Sequence, residues 1–474
     1  MKAKKVDVLN IAVLILLCLL IIPFWNGQIT SLMTISRMTS VIIVLLFIFQ
    51  MVILKHEKYN PYSFQVIFFI LQYLFLFGNV IVYALDLYSQ VSWKLMDRYS
   101  PPDIARGIAY AICYLQALFT GVVWSGKKTG TVEKQNQESK KFRKSNAIFQ
   151  IGVILILFLF PFRVYYDSVY IDIVRHSKGY VSSSQIPVNG IIFCFANLAY
   201  IGFFFIIASK YLKKSRLLVV LGVLFLYLMI VMSQTGDRRY AVCGLISIIL
   251  CYMYCYEIRL NFKIIFFSFL AVVFGLSFLS VISGIRRVNL VSFSELLGLA
   301  FDNLINNNIM VKIFGEFGVT LFSYVFPIIY YPSQFHFKWG SSLVVDFITI
   351  LPIGRLIEPL KDATNVASTL NQLENAHVGG SLGGELYGNF GLLSILIAVL
   401  FGYVFGKIFD KKILKNGIYS EKHAYRVAVY YSMLYIFLNL VRAPLSEVTR
   451  IGVYAVFSLW IIKKFLFRDK SKYA

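Results

Sequence analysis

Twelve apolar runs limit what this chain can become. They cover residues 8–25, 38–54, 62–85, 104–124, 147–162, 188–208, 217–232, 241–256, 264–283, 392–409, 427–441 and 451–467. A helix needs about 20 mostly apolar residues to cross bilayer hydrocarbon, where its backbone N–H and C=O groups must be satisfied within the segment. The expected fold is therefore an all-α polytopic membrane protein of about 12 transmembrane helices. Composition agrees: 58% of residues are hydrophobic and 15% charged, with a mean hydropathy of +0.72, far from a soluble average. The basic start followed by an apolar run has the charge pattern of a signal peptide. It lacks a small-residue cleavage site, so 8–25 reads as a retained first helix. The six cysteines all fall in apolar runs, which points to packing rather than disulfides or a metal cluster.

The net charge of +23 does not indicate nucleic acid, because the cations lie in short loops between spans. Alternate loops and the two termini together hold 29 of the 46 Lys and Arg, which places both termini in the cytoplasm. The long interval 284–390 then faces outward. Two runs inside it, 319–331 and 342–353, are too short to span and read as interfacial or re-entrant helices. The expected organisation is spans 1–9 over residues 1–283, the outward segment 284–390, and spans 10–12 over 391–474, all in one integrated domain.

Lysine and arginine divide differently across this topology. The cytoplasmic side carries 24 Lys and 5 Arg, the outward side 5 Lys and 12 Arg. Orientation alone makes no demand for arginine on the far side. A guanidinium offers a planar, permanently charged fork that matches phosphate oxygens two at a time, whereas lysine is a hydrated point charge. Arg163, Arg238, Arg239, Arg286, Arg287, Arg442 and Arg450 stand at outward span edges. One such arginine would snorkel or pair with a nearby acid. The set, with two Arg-Arg pairs, points to an anionic headgroup, and a diphosphate needs several forks.

The outward interval closes with HVGGSLGGELYGNFG, residues 377–391, a glycine-rich entry into the run 392–409 that carries one carboxylate, Glu385. With the upstream motifs TGDRR and SGIRR, this entry resembles the Wzy-type polysaccharide repeat-unit polymerases. The resemblance covers residues 234–409 in motif and the whole chain in layout. It implies a GT-C-like membrane architecture related to that of the O-antigen ligases. It also implies an activity: joining undecaprenyl-diphosphate-linked oligosaccharide repeats into O-antigen, enterobacterial common antigen or capsule polysaccharide at the outer face of the inner membrane. Undecaprenyl diphosphate is the leaving group, no cofactor is expected, and a chain-length regulator and a flippase are the expected partners.

Residue chemistry assigns the parts. Arg287, Arg239 and Arg442 are expected to stabilise the departing diphosphate, with Arg238, Arg286, Arg163 and Arg450 binding it. An acceptor hydroxyl needs a base, and the outward candidates are Glu385, Asp237, Glu316, Asp346, His336 and His377. Glu385 ranks first because the glycines before it allow close backbone approach. The plainer alternatives are a carboxylate stabilised in a first helical turn, Asn389 as a helix cap, and Asp237 paired with Arg238 or Arg239. His336, His377, Tyr387, Asn389 and Trp339 are candidates to contact glycan. No paired outward acids and no His/Cys ligand spacing occur, so metal-independent catalysis is expected. Two rivals are an O-antigen ligase-like transferase and a lipid-linked oligosaccharide flippase. The flippase should bury charges mid-span, and the spans read here are almost free of them.

Overall fold

The computed structural model describes residues 2–91, 93–126, 144–177, 186–235, 237, 239–258, 275, 298–299, 302, 308–348, 350, 366–374, 376, 378–415, 417–418 and 420–467. Apart from Gly275, the apolar run 264–283 lies outside these residues, as do Arg238, Arg286, Arg287 and His377.

Among the described residues there are helices and no strand. Eleven helices are long and apolar enough to cross a membrane. They are α1 (Lys5–Trp25), α2 (Leu32–His56), α3 (Phe64–Ala84), α4 (Pro101–Ser125), α5 (Asn146–His176), α6 (Gly190–Ser209), α7 (Lys214–Thr235), α9 (Met310–Tyr330), α12 (Leu382–Ile408), α13 (Glu421–Val441) and α14 (Leu445–Leu466). Between them lie the shorter apolar helix α8 (Arg239–Cys255) and two short helices, α10 (Ser341–Ile348) and α11 (Val366–Leu373). The expected polytopic all-helical class is the one observed.

Three helices reach further than hydropathy alone suggests. The run 319–331 is the C-terminal half of α9, which continues back through a short 3-10 turn at Val319–Leu321 to Met310. Lys312 and Glu316 hide this continuity in the sequence, yet the helix still averages apolar. The run 392–409 is likewise the second part of α12, joined to Leu382–Phe390 by a 3-10 turn at Gly391–Leu393. Helix α5 continues well past residue 162 to His176, with Pro161 inside it, and so takes Arg163 off the expected span edge and into its middle.

Tertiary contacts divide the chain into two compact units. The first contains residues 1–136, 308–415 and 440–448. At its centre is α4, whose side chains are almost all buried. Glycines let α4 and α12 touch backbone to backbone: a Cβ at Gly121 would overlap the Val399 carbonyl, and one at Gly402 the Leu118 carbonyl. Small residues serve this purpose in membranes because lipid gives helices no hydrophobic reason to associate, so close van der Waals contact must do so. Gly402→Leu is expected to separate the two helices, read as loss of full-length protein from the membrane fraction and a lower detergent-solubilised melting temperature. Polar side chains complete the contact set. Gln50 donates to Gln116 at 2.9 Å, and Gln116 donates to the Asn10 carbonyl at 3.2 Å, tying α1, α2 and α4 with bonds worth about 0.6 kcal/mol each on average in a bilayer.

The second unit contains residues 137–307, 416–439 and 449–474. Gly152 and Gly202 again bring two helices, α5 and α6, into backbone contact. Inside this unit Arg163 donates to Asp167 at 2.7 Å, and the Tyr227 hydroxyl donates to the same carboxylate oxygen at 2.7 Å. The Arg163 guanidinium also lies 5.8 Å from the Tyr200 ring centre. This buried pair is the mid-span charge that the shorter reading of α5 lacked. Removing either partner would strand the other charge at a cost of about 3–5 kcal/mol.

Candidate functional site

The first turn of α12 begins the site, and its sequence explains its position. Ser381 takes an extended conformation and accepts the Gly384 N–H at 3.1 Å, the usual geometry of a helix N-cap. Its hydroxyl also accepts from Ser323 of α9 at 2.6 Å. Gly383 and Gly384 follow, pressed so closely on α9 that a Cβ at Gly384 would overlap the Ser323 carbonyl. From α4, the Tyr110 hydroxyl donates to the Gly383 carbonyl at 2.9 Å. The glycines thus serve close backbone approach, and the helix start is held from two sides.

One residue later comes Glu385, only 4% exposed. One carboxyl oxygen accepts the N–H of Leu445, the first residue of α14, at 3.0 Å, so a negative charge here meets the positive end of a second helix. A second buried acid, Asp346 on α10, is 1% exposed. The ammonium of Lys338 is close enough to interact with both acids. Burial lowers the Lys338 pKa from the ordinary lysine value, and the two carboxyl groups oppose that shift.

Hydrogen bonds to the end of the same helix turn fix α10 in place. Asn389 donates to Ser342 at 2.7 Å and accepts the Gly340 N–H at 3.1 Å. The Lys338 and Trp339 N–H groups donate to the carbonyls of Gly388 and Asn389. Asn389 therefore does not cap a helix start, as its position in the sequence allowed; it is fully buried and fastens α10 to α12. Gly391 then turns with φ 57° against the Phe337 ring, a backbone angle that glycine tolerates best.

A cavity of about 10 Å³ adjoins Glu385, lined in part by Ser323, Phe326, Ala367, Asn371 and Ser381. That is room for about one water. Helix α11 covers it. The Asn371 side chain donates to the Gly379 carbonyl at 3.1 Å, and Glu374, just beyond α11, accepts from the hydroxyls of Tyr99 at 2.6 Å and Tyr330 at 2.7 Å. Burial and the Glu374 hydrogen bond raise the Tyr99 pKa above the usual phenol value, so that hydroxyl stays a donor.

Arg442 belongs to the same unit. Its carbonyl accepts the Gly380 N–H at 3.2 Å, and Gly379, at φ 86°, leaves space where a Cβ would meet the Arg442 backbone and side chain. The arginine thus lies beside the turn that leads into Glu385's helix. Other expected site residues have different surroundings. Tyr387 is buried, edge-on to Tyr110 with ring centres 5.0 Å apart. Trp339, 68% exposed, and His336 present themselves to the surroundings. In the second unit, the Asp237 side chain accepts the Arg239 backbone N–H at 3.2 Å, at the start of α8. The Arg239 guanidinium lies 4.5 Å from the Tyr240 ring centre. Arg450 is half-buried, its Nη1 beside Gly190. Arg163 is engaged by Asp167, as described above.

Sequence reasoning missed Lys338, Ser381, Asn371 and Glu374. Only Ser381 had a local signal, a serine three residues before the N–H it caps. Among the described residues, no group of three or more His, Cys, Asp or Glu could hold a metal ion.

Comparison with known proteins places this architecture. Residues 8–470 match the family model described as O-antigen polysaccharide polymerase Wzy. The chain belongs to that family. The match takes in nearly every span and both units, so the Wzy assignment concerns the whole bundle rather than one motif. No curated protein and no solved structure matches the chain. As a Wzy family member it is a multi-pass membrane protein with the role of an O-antigen repeat-unit polymerase, a glycosyltransferase-type activity.

Proposed function

We propose that this Wzy protein transfers a growing glycan from undecaprenyl diphosphate to the acceptor sugar of a second lipid-linked repeat, releasing undecaprenyl diphosphate. The active site faces the outside of the inner membrane and both termini are cytoplasmic, with α9 entering and leaving from the outer face rather than crossing. Glu385 is the base that takes the acceptor hydroxyl proton. Arg442, beside the turn that leads into the Glu385 helix, stabilises the charge that develops on the departing diphosphate. Arg163 contributes to the fold through Asp167. Trp339 and His336 contact sugar, with a chain-length regulator and a flippase acting alongside.

The observation that carries this reading is the buried Glu385 carboxylate, set against a helix N-terminus and lining a cavity in a membrane bundle of the polymerase family. A carboxylate so placed is held in one orientation, which general-base catalysis requires. Because the cavity admits about one water, α11 moves aside when the acceptor enters.

The polymerase and ligase readings share a donor, so a deletion strain separates them. One repeat on the lipid core is the expected outcome; an unsubstituted core would indicate a ligase. Fixed guanidinium groups can supply the leaving-group stabilisation that a metal supplies elsewhere. Chain extension by the purified protein is therefore expected to continue in EDTA, and activity abolished by EDTA and restored by a divalent ion would overturn metal independence.

A further inference from the structure

We propose that α11 is a latched cover over the Glu385 site, and that the latch is the carboxylate of Glu374 clasped by the hydroxyls of Tyr99 and Tyr330. This rests on the reading of the Glu385 cavity as the place the acceptor enters, and it names the residues that control entry. Val366, Leu370 and Asn371 of α11 line the same cavity as Glu385. One Glu385 oxygen is taken by the Leu445 N–H, while the other is buried with no hydrogen-bond partner among the described residues. That second oxygen is the one left for a substrate hydroxyl. With room for about one water, a sugar reaches it only when α11 lifts.

The clasp holds both carboxylate oxygens of Glu374, each by its own phenol. Tyr99 donates to Oε2 at 2.6 Å and Tyr330 to Oε1 at 2.7 Å. Tyr99 lies just before α4 and Tyr330 ends α9, so the C-terminal end of α11 is tied to two elements distant in the chain. Hydrogen bonds to a charged acceptor are the stronger kind. The apolar hold on α11 is small by comparison. Of its eight residues Val366 and Leu370 are buried, whereas Gln372 and Leu373 are exposed. A short helix with few buried apolar side chains belongs to the part of a structure that opens most readily. The Asn371 bond to the Gly379 carbonyl joins α11 to the chain that follows it and serves as the pivot.

The clasp can be undone without disturbing its surroundings. The Tyr99 ring packs on Phe322 and Phe326, with centres 5.5 Å apart in both pairs, and the Tyr330 ring lies 6.1 Å from that of Phe335. Phenylalanine at either position keeps the ring contacts and removes only the donor.

Two measurements on the full-length protein in nanodiscs test this. The first uses Val378→Cys as a reporter. Val378 lines the cavity and is fully buried, and its main-chain N–H, not its side chain, bonds Asn371. Modification by a small charged methanethiosulfonate reagent, read by mass spectrometry of the reporter peptide, is expected to be slow with the clasp intact. It becomes about tenfold faster when Tyr99→Phe and Tyr330→Phe are combined. An unchanged rate would overturn the latch. Cys113 and Cys251, both fully buried in the spans, should stay unmodified in the same samples; their modification would mean a loosened bundle and would also overturn it.

The second measurement is chain extension, without the reporter, from lipid-linked repeats taken from a polymerase-deletion strain. An acceptor that enters only the open form has an apparent affinity reduced by the fraction that is open. The double phenylalanine variant is therefore expected to lower KM for the acceptor by about the same tenfold, with kcat retained. A clasp that merely supports the fold predicts the opposite, a raised KM or a lost rate. Faster labelling without a lower KM would show that α11 opens but does not control entry. Each single phenylalanine variant should shift both readouts less in the same direction, and these carry the test if the double variant fails to insert. Adding Glu385→Gln should leave the labelling response in place. If Glu385→Gln extends chains normally while the clasp variants behave as expected, the base assignment falls and the latch stands.

Discussion

Glu385→Gln is expected to leave a full-length, membrane-inserted protein that cannot extend glycans, collapsing the polysaccharide ladder to a single repeat. Glutamine has the same shape, and its side-chain oxygen still accepts the Leu445 N–H that the carboxylate accepts at 3.0 Å. The fold is kept and the basic group is lost. Removing a positioned general base costs about 10²–10⁴-fold in rate, enough to leave one repeat per chain on a gel. Glu385→Asp pulls the carboxylate back toward the α12 backbone and is expected to fall between the two. Ladders of normal length from Glu385→Gln would end its assignment as the base.

Arg442→Ala carries the second largest effect. It is the main-chain carbonyl of Arg442 that accepts the Gly380 N–H, so alanine retains the turn beside Glu385 and removes only the guanidinium. Loss of a fixed donor to a developing oxyanion costs about 10²–10³-fold. Arg442→Lys restores the charge without the two-pronged geometry, and a partial recovery is expected. Arg239→Ala and Arg287→Ala, read on the same ladder gel, test the wider diphosphate assignment. Normal ladders from all three alanine variants would remove it.

Much of the membrane architecture could be read from apolar length, because hydrocarbon penalises every unsatisfied backbone group in the same way wherever the segment sits. The exceptions are instructive. Lys312 and Glu316 broke an apolar run that α9 continues through, and Arg163 and Asp167 ended one that α5 extends beyond. In each case a charge reads in the sequence as the edge of a span. For Arg163 the reason is pairing: a cation with its own acid one helix turn away and a tyrosine hydroxyl on the shared oxygen can be enclosed where an isolated cation cannot.

Glu385 stood out in the sequence as the lone acid in a glycine-rich helix entry, and Asp346 stood among the candidates without distinction. What places them is long-range. Glu385 accepts the Leu445 N–H sixty residues onward, while Asn389, which reads as a cap in the sequence, fastens to α12 the helix α10 that carries Asp346. The sequence by itself determined the helical class, the approximate place of most spans, and the lone acid of the glycine-rich helix entry. Those follow from solvent transfer and backbone hydrogen bonding, which act on each segment separately. Only the tertiary structure decided the company that carboxylate keeps, because a buried charge is defined by which partners packing brings within hydrogen-bonding reach, and nothing local in HVGGSLGGELYGNFG names them.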